Sequence, residues 1–203
     1  MVPVVATRDT VAPGEAAILA AGTEVFSREG FHGASIRDIA KRAGLSTASL
    51  YHHFGSKQDL LYRILSTGMD ELLERTAEAV EEAGDDPEAR LRAVVRVHVL
   101  VHAQRRERAT MTTAEMKHLK PAQRKEMLEK FRAQQRFFTE AVVDGARAGV
   151  FRTEDPEGAA MAIGSMCTGV ARWFKPNGPK SDEEIAEQYV DFAVALLRGG
   201  SDG

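Results

Sequence analysis

Gly33-Ala34-Ser35-Ile36-Arg37-Asp38-Ile39-Ala40-Lys41-Arg42-Ala43-Gly44-Leu45-Ser46-Thr47-Ala48-Ser49-Leu50-Tyr51-His52-His53-Phe54 carries two short amphipathic segments on either side of a glycine. Ser35 and Asp38 stand three apart, the spacing of a capping box, and open a helix that stops at Gly44. Ser46 can cap a second helix ending near Phe54. Ile36, Ile39, Leu45 and Leu50 supply apolar contacts that fix the crossing, and small Ala40 lets the helices approach. Gly44 permits the left-handed turn conformation that a side chain resists. Together this is a helix-turn-helix pattern. Ser46, Thr47, Ala48 and Ser49 at the start of its second helix are short, and three of them carry hydroxyls. A recognition helix meets base edges from that end. Tyr51, His52 and, past the next turn, Lys57 are groups that reach phosphate, which position a protein without reading sequence.

Outward from this stretch, helix punctuation is dense and strand signals are scarce. Pro13 suits a first helical position, Ile18, Ala21, Val25 and Phe26 follow at helical spacing, and Gly30 is placed to end that helix. Gly55-Ser56-Lys57-Gln58-Asp59 breaks the chain and restarts it with another cap. Leu61, Ile64, Leu65, Met69, Leu72, Leu73 and Val80 then keep a helical spacing up to Gly84, which predicts one long helix. Asp86-Pro87, Pro121 and Asp155-Pro156 open further helices, and Ser181-Asp182-Glu183-Glu184 is a second capping box. The last helix carries Ile185, Tyr189, Phe192, Ala193, Leu196 and Leu197 on one side, and Gly199-Gly200 ends it. Val95-Arg96-Val97-His98-Val99-Leu100-Val101 alternates as a strand does. Its flanks are helical and an isolated strand is not stable, so it is read as a buried helix. The expected fold class is all-α.

The chain has 203 residues, room for one large domain or two small ones. A charged fraction of 28% beside a hydrophobic fraction of 43% excludes disorder along the whole chain. No apolar run approaches the roughly 20 residues that span a bilayer, and Met1 to Ala6 is too short for a signal peptide. The single cysteine, Cys167, excludes an internal disulfide framework and any all-cysteine metal site, and is read with a reducing cytoplasm. A net charge of -3 argues against a blanket-basic nucleic-acid coat. Residues 1–63 hold seven Lys/Arg against six Asp/Glu, a balance of +1, which leaves -4 for the remainder. The sequence holds no G-x-S-x-G, phosphate loop, G-x-G-x-x-G or H-E-x-x-H, so no catalytic residues and no enzyme are expected.

The run from Gly33 to Ser46, then Leu50-Tyr51-His52-His53-Phe54, then Ser56-Lys57-Gln58-Asp59-Leu60, resembles the N-terminal domain of the TetR family of transcriptional regulators, over roughly residues 13–61. The resemblance implies three N-terminal helices that bind the major groove and a larger C-terminal helical domain that dimerises and binds a small ligand. The boundaries expected are 12–58 and 59–203. Position by position, it implies that Ser35 and Arg37 contact backbone or bases, that Ser46, Thr47 and Ser49 face the groove, and that Tyr51, His52 and Lys57 hold phosphates. Ala48 departs from members with a longer side chain there and offers only a methyl contact. His53 occupies the family's usual histidine position and reads equally as a helix-packing residue. The expected partner is double-stranded operator DNA, bound by a homodimer because each half of a palindrome needs its own reading head. In residues 157–174, Met161, Ile163, Val170 and Phe174 offer an apolar face for the second copy, with Gly158, Ala159, Ala160, Gly164 and Gly169 allowing close approach. The other reading is that they close the chain's own core.

A pocket is expected among the long helix after Lys57 and the helices near 88–106, 122–148 and 157–174. Met111, Met116, Phe131, Gln134, Phe138, Met166 and Trp173 are its candidate lining, because soft and aromatic side chains suit an adaptable apolar ligand. Taken singly, each reads as core. His98 and His102, four apart on one helical face, can polarise a ligand or simply pack. The spacing also suits a metal, but no Glu or Cys stands beside them to complete a set, so no metal and no cofactor are expected. Ala171-Arg172-Trp173-Phe174-Lys175-Pro176-Asn177-Gly178-Pro179 is similar to family members that sense acyl-CoA or steroid-derived CoA thioesters. Such a ligand needs cations for its phosphates. Arg105, Arg106, Arg108, Lys117 and Lys120 form a basic run that otherwise reads as a solvated face. The expected function is a repressor released by ligand, with the long helix from Lys57 to Ala83 as the lever. The alternative is a DNA-binding architectural protein without ligand control.

Overall fold

The computed structural model describes residues 13–199. The expected start at Ala12, the reading of Met1 to Ala6 and the tail from Gly200 lie outside the described residues. Among the described residues every regular element is helical: α1 Pro13–Gly33, α2 Ile36–Arg42, α3 Thr47–His53, α4 Lys57–Ala83, α5 Pro87–Gln104, α6 Arg106–Glu115, a 3-10 turn Met116–His118, α7 Pro121–Arg147, α8 Pro156–Thr168, α9 Val170–Trp173 and α10 Asp182–Arg198.

The local chemistry explains most of these limits. Ser56 accepts from the Asp59 amide (3.1 Å) while the Asp59 carboxylate accepts from the Ser56 hydroxyl (2.6 Å), which starts α4. Asp86 and Asp155 each accept an amide from the first turn after a proline, at 3.1 Å and 2.9 Å, and start α5 and α8. Ser181 and Glu184 satisfy each other's backbone amides and start α10. The expected box at Ser35 is not formed: Ser35 has the extended conformation of a cap, but its side chain makes no capping bond. Gly30 ends the regular part of α1, with φ 67°, and a further turn continues beyond the kink to Gly33. The Val95–Val101 segment is helical, with Val95, Val99 and Val101 buried. The helix expected over 157–174 is interrupted at Gly169 and resumes as α9. α6 was not expected as a helix of its own; only Met111 and Thr112 are buried in it, so it has almost no apolar period to read.

Two compact units result. Among the described residues, the first combines those up to Gly68 with Glu107–Met127, and the second combines Met69–Arg106 with those from Leu128 to Gly199. In the first unit Ile18, Val25, Phe26, Ile39, Leu50, Leu60, Leu61 and Leu65 are buried. A Cβ on Gly22 would stand 2.8 Å from Ile64 Cδ1, so α1 lies against α4 at a spacing that only glycine allows without a shift. In the second unit the core joins Leu91, Val94, Val95 and Val99 of α5, Phe138, Ala141 and Val142 of α7, Ala160, Ile163 and Cys167 of α8, and Ile185, Val190, Ala193 and Leu197 of α10. Burial there pushes the Cys167 thiol up to about 12, far from thiolate formation at neutral pH.

Two expectations about faces change. Of the four apolar residues assigned to a second copy, Ile163, Val170 and Phe174 are buried in this chain's own core, and only Met161 is exposed. On α10 the apolar residues occupy two faces rather than one: Ile185, Ala193 and Leu197 point inward, whereas Phe192 and Leu196 are about half exposed, at 48% and 50%.

Candidate nucleic-acid interface and candidate ligand site

The turn between α2 and α3 is closed by backbone alone. Leu45 N–H donates to Ala40 O (2.9 Å) and Gly44 N–H to Lys41 O (3.2 Å), with Gly44 at φ 71°. This is the paired bonding of a Schellman ending, and it needs a left-handed residue where Gly44 stands. Ser46 then caps α3 by accepting from the Ser49 amide at 3.0 Å. Leu50 and Phe54 are buried and tie α3 inward, with Ile39 and Ala40 buried on α2. Ser46, Ala48, Tyr51, His52 and His53 are exposed, and Thr47 and Ser49 are half-buried. Thr47 with Tyr51, and Ala48 with His52, are four apart and form an outer stripe away from Leu50. Arg37 is exposed, and Ser35 is half-buried at the start of α2.

Two of the expected contact residues are also built into the fold of the head. Lys57 donates its ammonium to Ala34 O at 2.9 Å and lies 4.6 Å from the centre of the Phe31 ring. It therefore holds the entry to α2. His53 reaches the start of α1: a Cβ on Gly14 would stand 3.7 Å from its Nε2.

Supporting groups that the sequence did not reveal complete the first unit. Phe31 N–H donates to Glu115 Oε2 at 3.1 Å, and the Phe31 ring stacks on His118 at 4.9 Å. Arg42 pairs with Glu24, and Arg63 with Glu15 at 2.8 Å. Phe31 and Glu115 are 84 residues apart, and no local pattern announces such a pair.

In the second unit the expected ligand residues divide. His98, His102 and Gln134 are buried together with Thr76. The His98 and His102 rings stack at 4.1 Å, and the Phe138 ring meets His98 edge-on at 5.3 Å. Burial, with the neighbouring His102 ring, drives the His98 pKa well below its ordinary value, and burial lowers that of His102. Phe131 and Met166 are half-buried in the same unit. Trp173 is not part of this group: it is 48% exposed and stacks on Tyr189 at 6.2 Å. Met111 and Met116 belong to the first unit, where Met111 is buried and lies 4.0 Å from the Ser27 hydroxyl. Thr76 and Thr168, partners of the buried cluster, were missed because a lone threonine on a helix carries no signal of its own.

The basic run disperses. Arg105 approaches Glu71 at 3.7 Å, Arg106 donates to Ala171 O at 3.3 Å, and Lys120 pairs with Asp59 at 2.6 Å. The open groove on the outer side of α10, lined by Lys180, Glu183, Glu184, Glu187, Asp191 and Phe192, contains none of the expected ligand residues. Among the described residues no three His, Cys, Asp or Glu are grouped to hold a metal ion, and no helix is long and apolar enough to cross a membrane.

Residues 18–64 match the family described as bacterial regulatory proteins, tetR family, and residues 84–197 match the tetracyclin repressor-like C-terminal domain. The HTH-type transcriptional repressor KstR2 of Rhodococcus jostii (strain RHA1) is 29% identical over 172 residues, which cover 84% of each chain. A solved tetR-family regulatory protein from Rhodococcus RHA1 superposes with a TM-score of 0.85 at 30% identity, covering 92% of this chain and 98% of that one. The structure of AibR in complex with isovaleryl coenzyme A and operator DNA superposes with a TM-score of 0.79 at 28% identity, covering 92% and 98%. A capped recognition helix on a glycine turn and matches that run through both parts of the chain lead to one conclusion: this protein belongs to the TetR family of DNA-binding transcriptional regulators.

Proposed function

We propose that this protein is a cytoplasmic repressor that sits on a palindromic operator as a homodimer and leaves it when a small apolar or CoA-thioester metabolite binds. Residues 12–58 form the DNA-binding domain, and 59–203 hold the ligand and the second copy. The observation that carries the reading is the outer stripe of α3, short at its beginning and polar at its end, standing on a turn locked by its own backbone. Ser46, Thr47 and Ser49 meet base edges, Ser35 and Arg37 meet backbone or bases, and Tyr51, His52 and Lys57 meet phosphate, with His53 bracing the helix behind them. The second copy packs on Met161, Trp173, Phe192 and Leu196, large apolar side chains that this chain leaves about half or more exposed. The ligand lies beside His98, His102, Gln134 and Phe138, with Phe131 and Met166 as further lining. Similarity to KstR2 supports repression, and the AibR complex supports an acyl-CoA as the class of ligand. A ligand can release DNA only by binding one conformation better than the other, and α4, which contributes to both units, is the element able to carry that difference.

Selection of bound genomic fragments, followed by footprinting with a panel of acyl-CoAs that includes isovaleryl-CoA, tests this. One protected palindrome, lost on addition of a panel member, is expected. Equal binding to scrambled competitor DNA, or a strict monomer at working concentration, overturns it; an architectural protein would protect DNA whatever metabolite is added.

A further inference from the structure

The protons of the buried cluster in the second unit can be assigned one at a time. Thr76 gives its hydroxyl proton to Leu72 O at 2.7 Å, and Thr168 gives its own to Gly164 O at 2.9 Å. Each hydroxyl has only one proton, so both are then acceptors toward their other neighbour. With Thr168 accepting, His98 Nε2, 3.0 Å from Thr168 Oγ1, is assigned the ring proton and donates it. His98 Nδ1 is left with the lone pair, and Gln134 Nε2 donates toward it at 3.4 Å and to Thr76 Oγ1 at 3.2 Å. His102 Nδ1 lies 2.8 Å from the carbonyl oxygen of His98, an acceptor only, so it carries the proton of its ring. The lone pair of His102 is thereby placed on Nε2.

This chain of assignments orients the Gln134 amide, and it leaves one atom over. Gln134 Oε1 is buried and has no hydrogen-bond partner, in a residue only 4% exposed. An unsatisfied buried carbonyl is destabilising, and a fold retains one when something else supplies the missing donor. Every proton of the cluster is already committed, so the donor must come from outside it.

We propose that the Gln134–His98–His102 cluster receives a neutral hydrogen-bond donor of the ligand, a hydroxyl or an N–H, at Gln134 Oε1. The inference rests on the reading that the second unit holds the effector, and it names which chemistry the effector's buried end presents. A carboxylate or a bare ketone brings only acceptors to an acceptor and is refused. A charged ammonium is refused as well, because the surrounding side chains are Phe138 and neutral rings with no anion among them. For an acyl-CoA-like molecule this puts the phosphates outside and an O–H or amide N–H inside.

The full-length protein, labelled with 15N-histidine, tests the assignment without the natural effector. Before any probe is added, His98 should show the Nε2–H form and His102 the Nδ1–H form. The opposite tautomer at His98 would turn the Gln134 amide around, expose a donor instead of an acceptor, and overturn the proposal. Cyclohexanol, cyclohexanone and cyclohexanecarboxylate are then titrated as probes of one ring size. Cyclohexanol should shift the His98 ring signals, and the Gln134 side-chain amide signals of a second sample labelled with 15N-glutamine, saturably and bind at least about tenfold more tightly than the other two, the factor that one hydrogen bond of about 1.4 kcal/mol supplies. Gln134→Leu should erase that preference, and Gln134→Glu, which keeps an acceptor oxygen at the same place, should retain it. Equal binding of alcohol and ketone, a preference that survives Gln134→Leu, or signals unmoved by every probe overturns the proposal. If a screened metabolite releases the operator yet leaves these signals unmoved, this inference fails and the repressor reading stands. If no metabolite releases the operator, it is the repressor reading that fails.

Discussion

Lys57 and Thr47 stand on the same head and are expected to fail in different ways. Lys57 holds Ala34 O and the Phe31 ring, so Lys57→Ala should lower stability by about 1–2 kcal/mol as well as weaken binding to every DNA sequence alike. Thr47→Ala should leave the melting temperature unchanged and relax preference at one base position by about 1–3 kcal/mol. Fluorescence anisotropy on operator and scrambled duplexes, beside a urea titration, separates the two; an equal loss on both duplexes for Thr47→Ala would remove it from base reading. His98 gives the head's counterpart in pH. Its proton is bound by the unfolded chain below the ordinary histidine value of 6.5 and refused by the folded one. Stability is therefore whole above that pH and falls as pH drops below it, by up to about 1.4 kcal/mol per pH unit for this ring. His102, lowered in the same direction, steepens the fall. Urea midpoints measured from about pH 7.5 to about pH 5.5 should decline, and His98→Gln should flatten the slope.

At the scale of elements, Gly145 on α7 decides how the end of that helix packs. A Cβ there would overlap the buried Phe151 ring. Alanine gains up to about 1 kcal/mol of helix propensity, whereas overpacking costs about 1–3 kcal/mol. Gly145→Ala should therefore be net destabilising, as the midpoint of a urea curve would report. The elements that were legible in the sequence are those with punctuation at both ends or a clear period. Ser46 and Gly55 bound α3, Ser181 and Gly199 bound α10, and α4 keeps its period over 27 residues. Val95–Val101 was legible only through its neighbours, since β-branched residues alternate there and tertiary burial, not propensity, makes it helical. α6 was illegible because its only large apolar side chain is that of Met111. Ser35 misled, because the right residue three before an acid does not oblige the side chain to turn back. The DNA-facing residues could be named because they cluster within one motif. The ligand cluster could be named only in part, because Thr76 joins Gln134 and Thr168 joins His98 from elements far apart in the chain.

For the whole molecule, the exposed apolar side chains on α8, α9 and α10 set the expected assembly. Met161 is 63% exposed and Trp173 48%, and Trp173, Tyr189 and Phe192 form a run of adjoining rings. A single chain gains nothing by leaving such a surface in water. Phe192→Lys with Leu196→Lys should convert a dimer into a monomer at micromolar concentration and abolish cooperative occupation of the operator. Sedimentation equilibrium reads the first effect, and an unchanged molecular mass would place the interface elsewhere. Cys167 adds a use of a different kind. The protein contains one sulfhydryl, sealed in the packed centre of its second unit and held protonated. A thiol-reactive dye therefore cannot react until that centre opens, and with no other cysteine to compete, the rate of its uptake becomes a stopwatch for breathing of the C-terminal part, with and without an added metabolite.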